Sequence, residues 1–198
     1  MHFVLFRGNL AASPAAADTS DRYYSIARNM PGFLTESSWR DPSRPNLQFL
    51  FATFADEDAV KTWRNDKLRL GMMHSARHEV FTDFRTTIGV DVPETEPVVL
   101  VHKRPALLEE EDVGVNVRSD EARLGKLTTG SELYTREGEV MWVWPLAKGV
   151  DVDDIVRSLE RVEGDVLFRV HVLREYTKDD RGQAPQGLDK AEEEAVAA

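Results

Sequence analysis

The spacing of apolar residues changes several times along the first half of the chain, and each change marks an element. His2 to Leu10 alternates loosely and is rich in Phe and Val, which predicts a strand. Residues 11–22 turn small and polar around Pro14, a loop pattern, with Asp18 or Ser20 placed to cap a helix over 23–29. Pro31 cannot continue that helix and Gly32 tolerates positive φ, so Met30-Pro31-Gly32 ends it. Phe33 to Arg40 reads as a second strand with Phe33, Thr35, Ser37 and Trp39 on one face. After a turn composition, Leu47 to Phe54 is almost continuously apolar, as a strand covered on both faces should be. Asp56 opens a helix in which Ala59, Val60 and Trp63 share a stripe. The pattern breaks at Arg64-Asn65-Asp66 and resumes with Leu68, Leu70, Met72 and Met73. A fourth strand over 79–90 closes the set.

Strand, helix, two strands, helix, strand is the ferredoxin-like order. Its sheet carries helices on one face and leaves the other bare, and a bare apolar face must be buried, usually against a second copy. Residues 91–97 form an acidic, proline-containing linker, and 98–103 predict a strand. The charged stretch 105–130 gives no assignment. Residues 133–146, interrupted at Glu137-Gly138, predict a strand or hairpin with Trp142 and Trp144 on one face. A helix over 151–162 and a strand over 166–176 follow, then a polar, acidic tail from 178 that composition predicts to be disordered. The expected architecture is α+β: a ferredoxin-like unit over 1–92 and a degenerate second one over 98–177. Their bare sheets would pack face to face, with Trp142 and Trp144 covering the first unit's sheet. The chain would then be a monomer with an internal pseudo-dimer, or a homodimer.

Composition narrows the partners. The 198 residues include 35 acidic and 25 basic ones, a formal net charge of -10 that opposes phosphate binding and makes nucleic acid an unexpected partner. The absence of cysteine removes disulfides, thiolate metal sites and thiol nucleophiles and suits a reducing compartment. The N-terminal apolar run is short for a signal segment and nothing approaches a membrane span, so a cytoplasmic location is expected and no membrane partner. There is no phosphate-cradling glycine loop and no nucleophile elbow.

Three features give the first unit a resemblance to a known family: the Pro-Gly-Phe entry to strand two at 31–33, the apolar strand leading into the helix with Ala59-Val60, Trp63-Arg64-Asn65, and the aromatic-rich closing strand. Together they make residues 1–92 similar to the antibiotic-biosynthesis monooxygenases, a family of dimeric α/β barrels. The resemblance implies oxygenation of a flat aromatic substrate, polyketide- or quinol-like, without metal or flavin. For haem-degrading members it implies haem as the substrate or ligand. It places Asn9, Trp63 and His74 in the catalytic positions, with His74 the axial ligand if haem is bound and otherwise a general base. Arg69 stands where many relatives carry a histidine. On one continuous helix the eleven residues from Trp63 to His74 would rotate by about 1,100° and return to nearly the same face.

The residues themselves leave a second reading open. Trp63 on an apolar stripe is more often a core residue than a catalytic one. His74 and His78 lack a third ligand. Asn9 after Gly8 has turn chemistry of its own. Arg7 and Arg69 are suited to pair with a carboxylate. Tyr23, Tyr24, Trp39, Phe49 and Phe51 would line an aromatic pocket between sheet and helices, with Tyr24, Trp39, Phe51 and Arg69 the substrate contacts. The alternative function is a non-catalytic barrel that binds a small apolar ligand or a protein partner.

Overall fold

The computed structural model describes residues 1–12, 26–92, 96, 98–106, 127–159 and 163–184, without the side chains of His74 and Ser75. In chain order the elements are β1 (His2–Leu10), β2 (Phe33–Arg40), β3 (Leu47–Phe54), α1 (Glu57–Arg64), α2 (Lys67–Ser75), a π-helical turn (Ala76–Val80), β4 (Phe81–Val90), β5 (Val98–Pro105), β6 (Glu132–Arg136), β7 (Glu139–Pro145), α3 (Val152–Ser158) and β8 (Val166–Thr177). Residues 23–25 of the helix expected over 23–29 and most of the unassigned stretch 105–130 fall outside the described residues; of the helix expected over 151–162, α3 stops at Ser158 with Leu159 extended, and 160–162 fall outside.

All eight strands form one antiparallel sheet that closes on itself in the order β1-β3-β2-β6-β7-β5-β8-β4. Within it, β4-β1-β3-β2 and β8-β5-β7-β6 repeat one arrangement, so the fold is an α+β barrel of two ferredoxin-like units in a single chain. The two sheets join edge to edge, through β4–β8 and β2–β6, rather than stacking as separate layers. That removes the exposed edges that an isolated unit would leave. No helix among the described residues is long and apolar enough to cross a membrane.

Strand alternation sorts the side chains between inside and outside. Phe3, Leu5, Trp39, Phe49 and Phe51 of the first unit meet Val99, Val101, Tyr134, Met141, Val143 and Val170 of the second in one interior cluster. The intervening residues face outward toward the helices. Val4, Ala52, Phe54 and Ile88 pack on Ala59, Val60 and Trp63 of α1, and Leu100, Trp142 and Trp144 pack on Ile155 and Leu159. Trp142 and Trp144 therefore cover the helix side of their own unit, not the first unit's sheet as expected, because Met141 and Val143 take the inward positions between and beside them.

Two local features depart from simple periodicity. The register between β2 and β3 shifts between Phe33 and Thr35, so Phe33 joins the helix-side cluster while Trp39 points inward. Beyond β8, residues 178–184, the start of the tail expected to be disordered, make contacts with the barrel. Lys178 Nζ donates to the carbonyls of Phe81 and Thr82, Gln183 accepts from the Glu175 amide, and Ala184 is buried against Phe6, Phe81 and Phe84. Residues 185–198 lie outside the described residues.

Candidate functional site

On the helix side of the first unit, α1 begins at Asp56, whose carboxylate accepts from the Ala59 amide, an N-cap that also suits the helix dipole. The helix stops at Asn65, and Asp66 caps α2 by accepting from the Arg69 amide. The break at Asn65-Asp66 turns the eleven-residue spacing from Trp63 to His74 into a relation between two helices, so the single-helix rotation does not apply. The side chain of His74 lies outside the described residues.

The same break folds Arg69 back over Trp63. The Arg69 guanidinium stands 4.0 Å from the indole centroid, a cation–π contact, and its Nη1 donates to the Arg64 carbonyl at 3.0 Å. Arg69 is 1% exposed and Trp63 3%, which makes this a desolvated pair. Trp63 packs at 5.5 Å on Phe54, and its indole N–H is buried with no hydrogen-bond partner among the described residues. Trp63 and Arg69, named separately from the sequence, thus form one unit.

The remaining expected residues lie elsewhere. Asn9 follows Leu5 and Arg7 on the inward face of β1, and its side-chain amide reaches Asp83 at 3.5 Å. It is on the opposite face of the sheet from Trp63, so these two do not share a pocket. Trp39 and Phe51, expected between sheet and helices, point into the barrel. Trp39 donates to Ser37 at 2.9 Å beneath Arg136, and Phe51 stacks on Phe3. Tyr24 lies outside the described residues.

The barrel interior holds a polar group of which the sequence singles out Arg7, as suited to pair with a carboxylate, but neither of its partners. Arg7 Nε donates to Glu132 at 2.6 Å, with Asp83 at 3.7 Å from its Nη1, and the Tyr134 hydroxyl donates to the other oxygen of Glu132 at 2.7 Å. Burial pulls the Arg7 guanidinium toward neutrality, but the charge of Glu132 outweighs it and the pKa rises. Tyr134 is held protonated well above the ordinary phenol range, by burial first and then by the adjacent Glu132 carboxylate. Arg7 and Glu132 are 125 residues apart, so no local motif announces them. The one available signal is that Glu132, Tyr134 and Arg136 alternate onto a single face of a short strand.

The second unit carries a buried polar cluster on its own helix side. His102 Nε2 meets Asp165 at 3.0 Å, Arg104 contacts both oxygens of Asp165 at 3.2 Å, and the imidazole lies 5.5 Å from Trp142 and 5.9 Å from Trp144. Asp165 precedes β8, so this cluster ties the start of β8 to β5. Such paired burial satisfies charges that would otherwise be costly. Among the described residues no group of His, Asp and Glu is arranged to hold a metal ion.

No family model matches the sequence, and no curated protein matches it. Solved structures do superpose on it. Antibiotic-biosynthesis monooxygenases are among them. SnoaB, a cofactor-independent oxygenase from Streptomyces nogalater, is 19% identical over 48% of this chain and 96% of its own, with a TM-score of 0.40. A provisionally assigned antibiotic biosynthesis monooxygenase from Deinococcus radiodurans is 20% identical over 49% and 97%, with a TM-score of 0.41. An aldoxime dehydratase aligns over 86% of this chain and 81% of its own at 8% identity, with a TM-score of 0.48. Likenesses this distant carry no activity from those proteins to this one.

Proposed function

We propose that the chain is an oxygenase of the antibiotic-biosynthesis monooxygenase type, acting on a flat aromatic substrate on the helix side of its first unit. The observation that supports it is the buried indole N–H of Trp63, which lies beneath the Arg69 guanidinium and has no partner among the described residues, a state that Trp142 and Trp144 share in the second unit. A buried donor without an acceptor costs about 1–3 kcal/mol, and a substrate oxygen would remove that penalty. Trp63 would donate to a substrate carbonyl or phenolate, and Arg69 would stabilise the negative charge that develops on that oxygen. His74, on the helix that carries Arg69, is the proton acceptor in this reading, since an unperturbed imidazole titrates at about 6.5. Asn9 is not part of this site.

With an anthrone the overall change would be conversion of the activated CH2 to a carbonyl by O2; with a hydroquinone a ring C–H would become C–OH as the quinol becomes the quinone. In both, one oxygen atom enters the substrate and the other leaves as water. The substrate supplies all the electrons. The test is O2 uptake and product mass with anthrone and hydroquinone substrates in chelator-treated buffer, for the parent chain and Trp63→Phe. Turnover that falls by at least about tenfold in Trp63→Phe, with the fold retained by circular dichroism, is expected if the lost donor acts in the transition state. A parallel haemin titration covers the haem branch: a saturable Soret shift abolished by His74→Ala would make porphyrin the ligand instead.

A second reading is a binding protein without chemistry. It is supported by the packing of Trp63 on Phe54 inside a closed apolar cluster, as a core residue would pack. Absence of turnover across the panel in a folded chain would favour it.

A further inference from the structure

The barrel interior is filled unevenly along its length. Where β1 begins and β3 finishes, Phe3, Phe51 and Phe168 plug it, with ring centroids 4.9 to 5.8 Å apart. The opposite end is a cavity of about 530 Å³. Its apolar walls are Leu5 and Phe49 from the first unit and Val99, Val143 and Val172 from the second, with Thr87, Thr129 and Ser131 adding polar groups to the lining. Its rim carries Arg7, Arg44 and Arg85 together with Glu132 and Glu175. Neither unit could form it alone, and Trp63 and Arg69 lie on the far side of the sheet.

We infer that this open end of the barrel is a binding site for a small acid with an apolar body and a carboxylate head. The volume falls in the range of small-molecule pockets, roughly 300–1,000 Å³. Walls of Leu, Val and Phe offer water no hydrogen bonds, and their atoms lack contacts on the cavity side, so an apolar ligand is the occupant that restores them. The rim selects the head group. Glu132 is already engaged by Arg7 at 2.6 Å and by Tyr134 at 2.7 Å, and Glu175 by Thr87 at 2.8 Å and Arg85 at 3.7 Å. A cationic ligand would have to displace one of those partners.

Of the guanidiniums, Arg7 is held by Glu132 at 2.6 Å and Arg44 by Asp41 at 2.6 Å, which leaves Arg85 the least committed. Each guanidinium carries five N–H donors in a planar fork, and among the described residues Arg85 meets Glu175 through Nε alone, at 3.7 Å, while its side chain remains 55% exposed. A carboxylate matches that fork with two parallel charge-assisted bonds. Arg85 is therefore the residue that reads the head, and Arg7 is the one that holds Glu132 in place on the opposite rim.

The test is isothermal titration of the full chain with 2-naphthoate and decanoate, and with 2-naphthylmethanol as the neutral counterpart. One equivalent of acid is expected to bind at least about tenfold more tightly than the alcohol, because the alcohol cannot use the charged fork. Arg85→Gln should reduce the acid to the level of the alcohol. Val172→Phe should remove binding by filling the cavity, and circular dichroism reports whether it folds; Arg85 is exposed enough that its variant should fold regardless. The two acids distinguish an aromatic from an aliphatic body. Equal binding of acid and alcohol, no binding to the folded chain, or full binding by folded Val172→Phe would each overturn the proposal. Trp63→Phe should leave these affinities unchanged, so this site and the oxygenase reading succeed or fail separately.

Discussion

The two seams that close the barrel are built in different ways. Along one, β4 and β8 run together from Arg85 opposite Thr177 to Val90 opposite His171. Along the other, β2 and β6 come into register only where Arg40 faces Thr135. Side chains take over where the ladder is short: Phe49 stacks on Tyr134 at 4.6 Å, Arg136 lies over Trp39 at 4.7 Å, and Arg7 reaches Glu132 from the first unit to the second. A sheet edge has to be paired or covered, and this molecule pairs one and covers the other. The long seam rests on backbone geometry and tolerates little change in shape. The short seam rests on polar and aromatic contacts and responds to charge and pH.

Substitution can break each seam in its own way, and the backbone seam should suffer most. A Cβ on Gly89 would come within 2.3 Å of Val170 Cγ1 and 2.9 Å of the His171 carbonyl oxygen. Gly89→Ala must therefore push β4 and β8 apart, and we expect a loss of about 3 kcal/mol in chemical denaturation. A cost below about 1 kcal/mol would show that the seam yields easily and that the contrast is overdrawn.

Tyr134→Phe probes the short seam. Removing a hydrogen bond to a charged acceptor should cost about 2 kcal/mol near neutral pH. The phenol pKa is raised in the folded state, so above about pH 10 the unfolded chain releases a proton that the folded one retains. Stability from this group is complete below that pH and falls as pH rises. The alkaline decline should accordingly be shallower in Tyr134→Phe, and an unchanged slope would remove Tyr134 from the account.

The smallest effect is expected just past the end of β2. Asp41 is buried, which alone would raise its pKa, but hydrogen bonds from Ser43 and Arg44 outweigh burial and hold the carboxyl below its ordinary value. Its contribution is present above the unfolded carboxylate value of about 4 and is lost as pH falls through the folded one. Asp41→Asn should cost about 1 kcal/mol at neutral pH, and the difference from the parent should shrink under acid. A constant difference down to pH 3 would mean the turn depends on shape rather than charge.

Most of the strand plan was legible because alternation is a local property. His2–Leu10, Phe33–Arg40 and Leu47–Phe54 form strands over the bounds that their apolar patterning predicts. The inward or outward choice was less so. A single bulge near Leu34 reverses Phe33 relative to Trp39, and no pattern within β2 announces it. Trp142 and Trp144 were correctly read as sharing a face, but which face depends on what the second unit's helix covers, a tertiary fact. The pairing of Trp63 with Arg69 came from a helix break that Asn65-Asp66 did signal. The Arg7–Glu132–Tyr134 group joins residues from opposite halves of the chain, and only closure of the barrel brings them together.

That closure occurs within one polypeptide, and this changes what dilution and divergence can do to it. A barrel assembled from two identical chains opens when the protein is dilute, and its seams must be self-complementary, since each residue facing a partner must also accept the reciprocal contact. Here ring closure is unimolecular, so the interior persists at any concentration, and each seam is free to carry different residues on its two sides. The two ends of the barrel have likewise been released from equivalence: three phenylalanines seal one, and arginines guard the other.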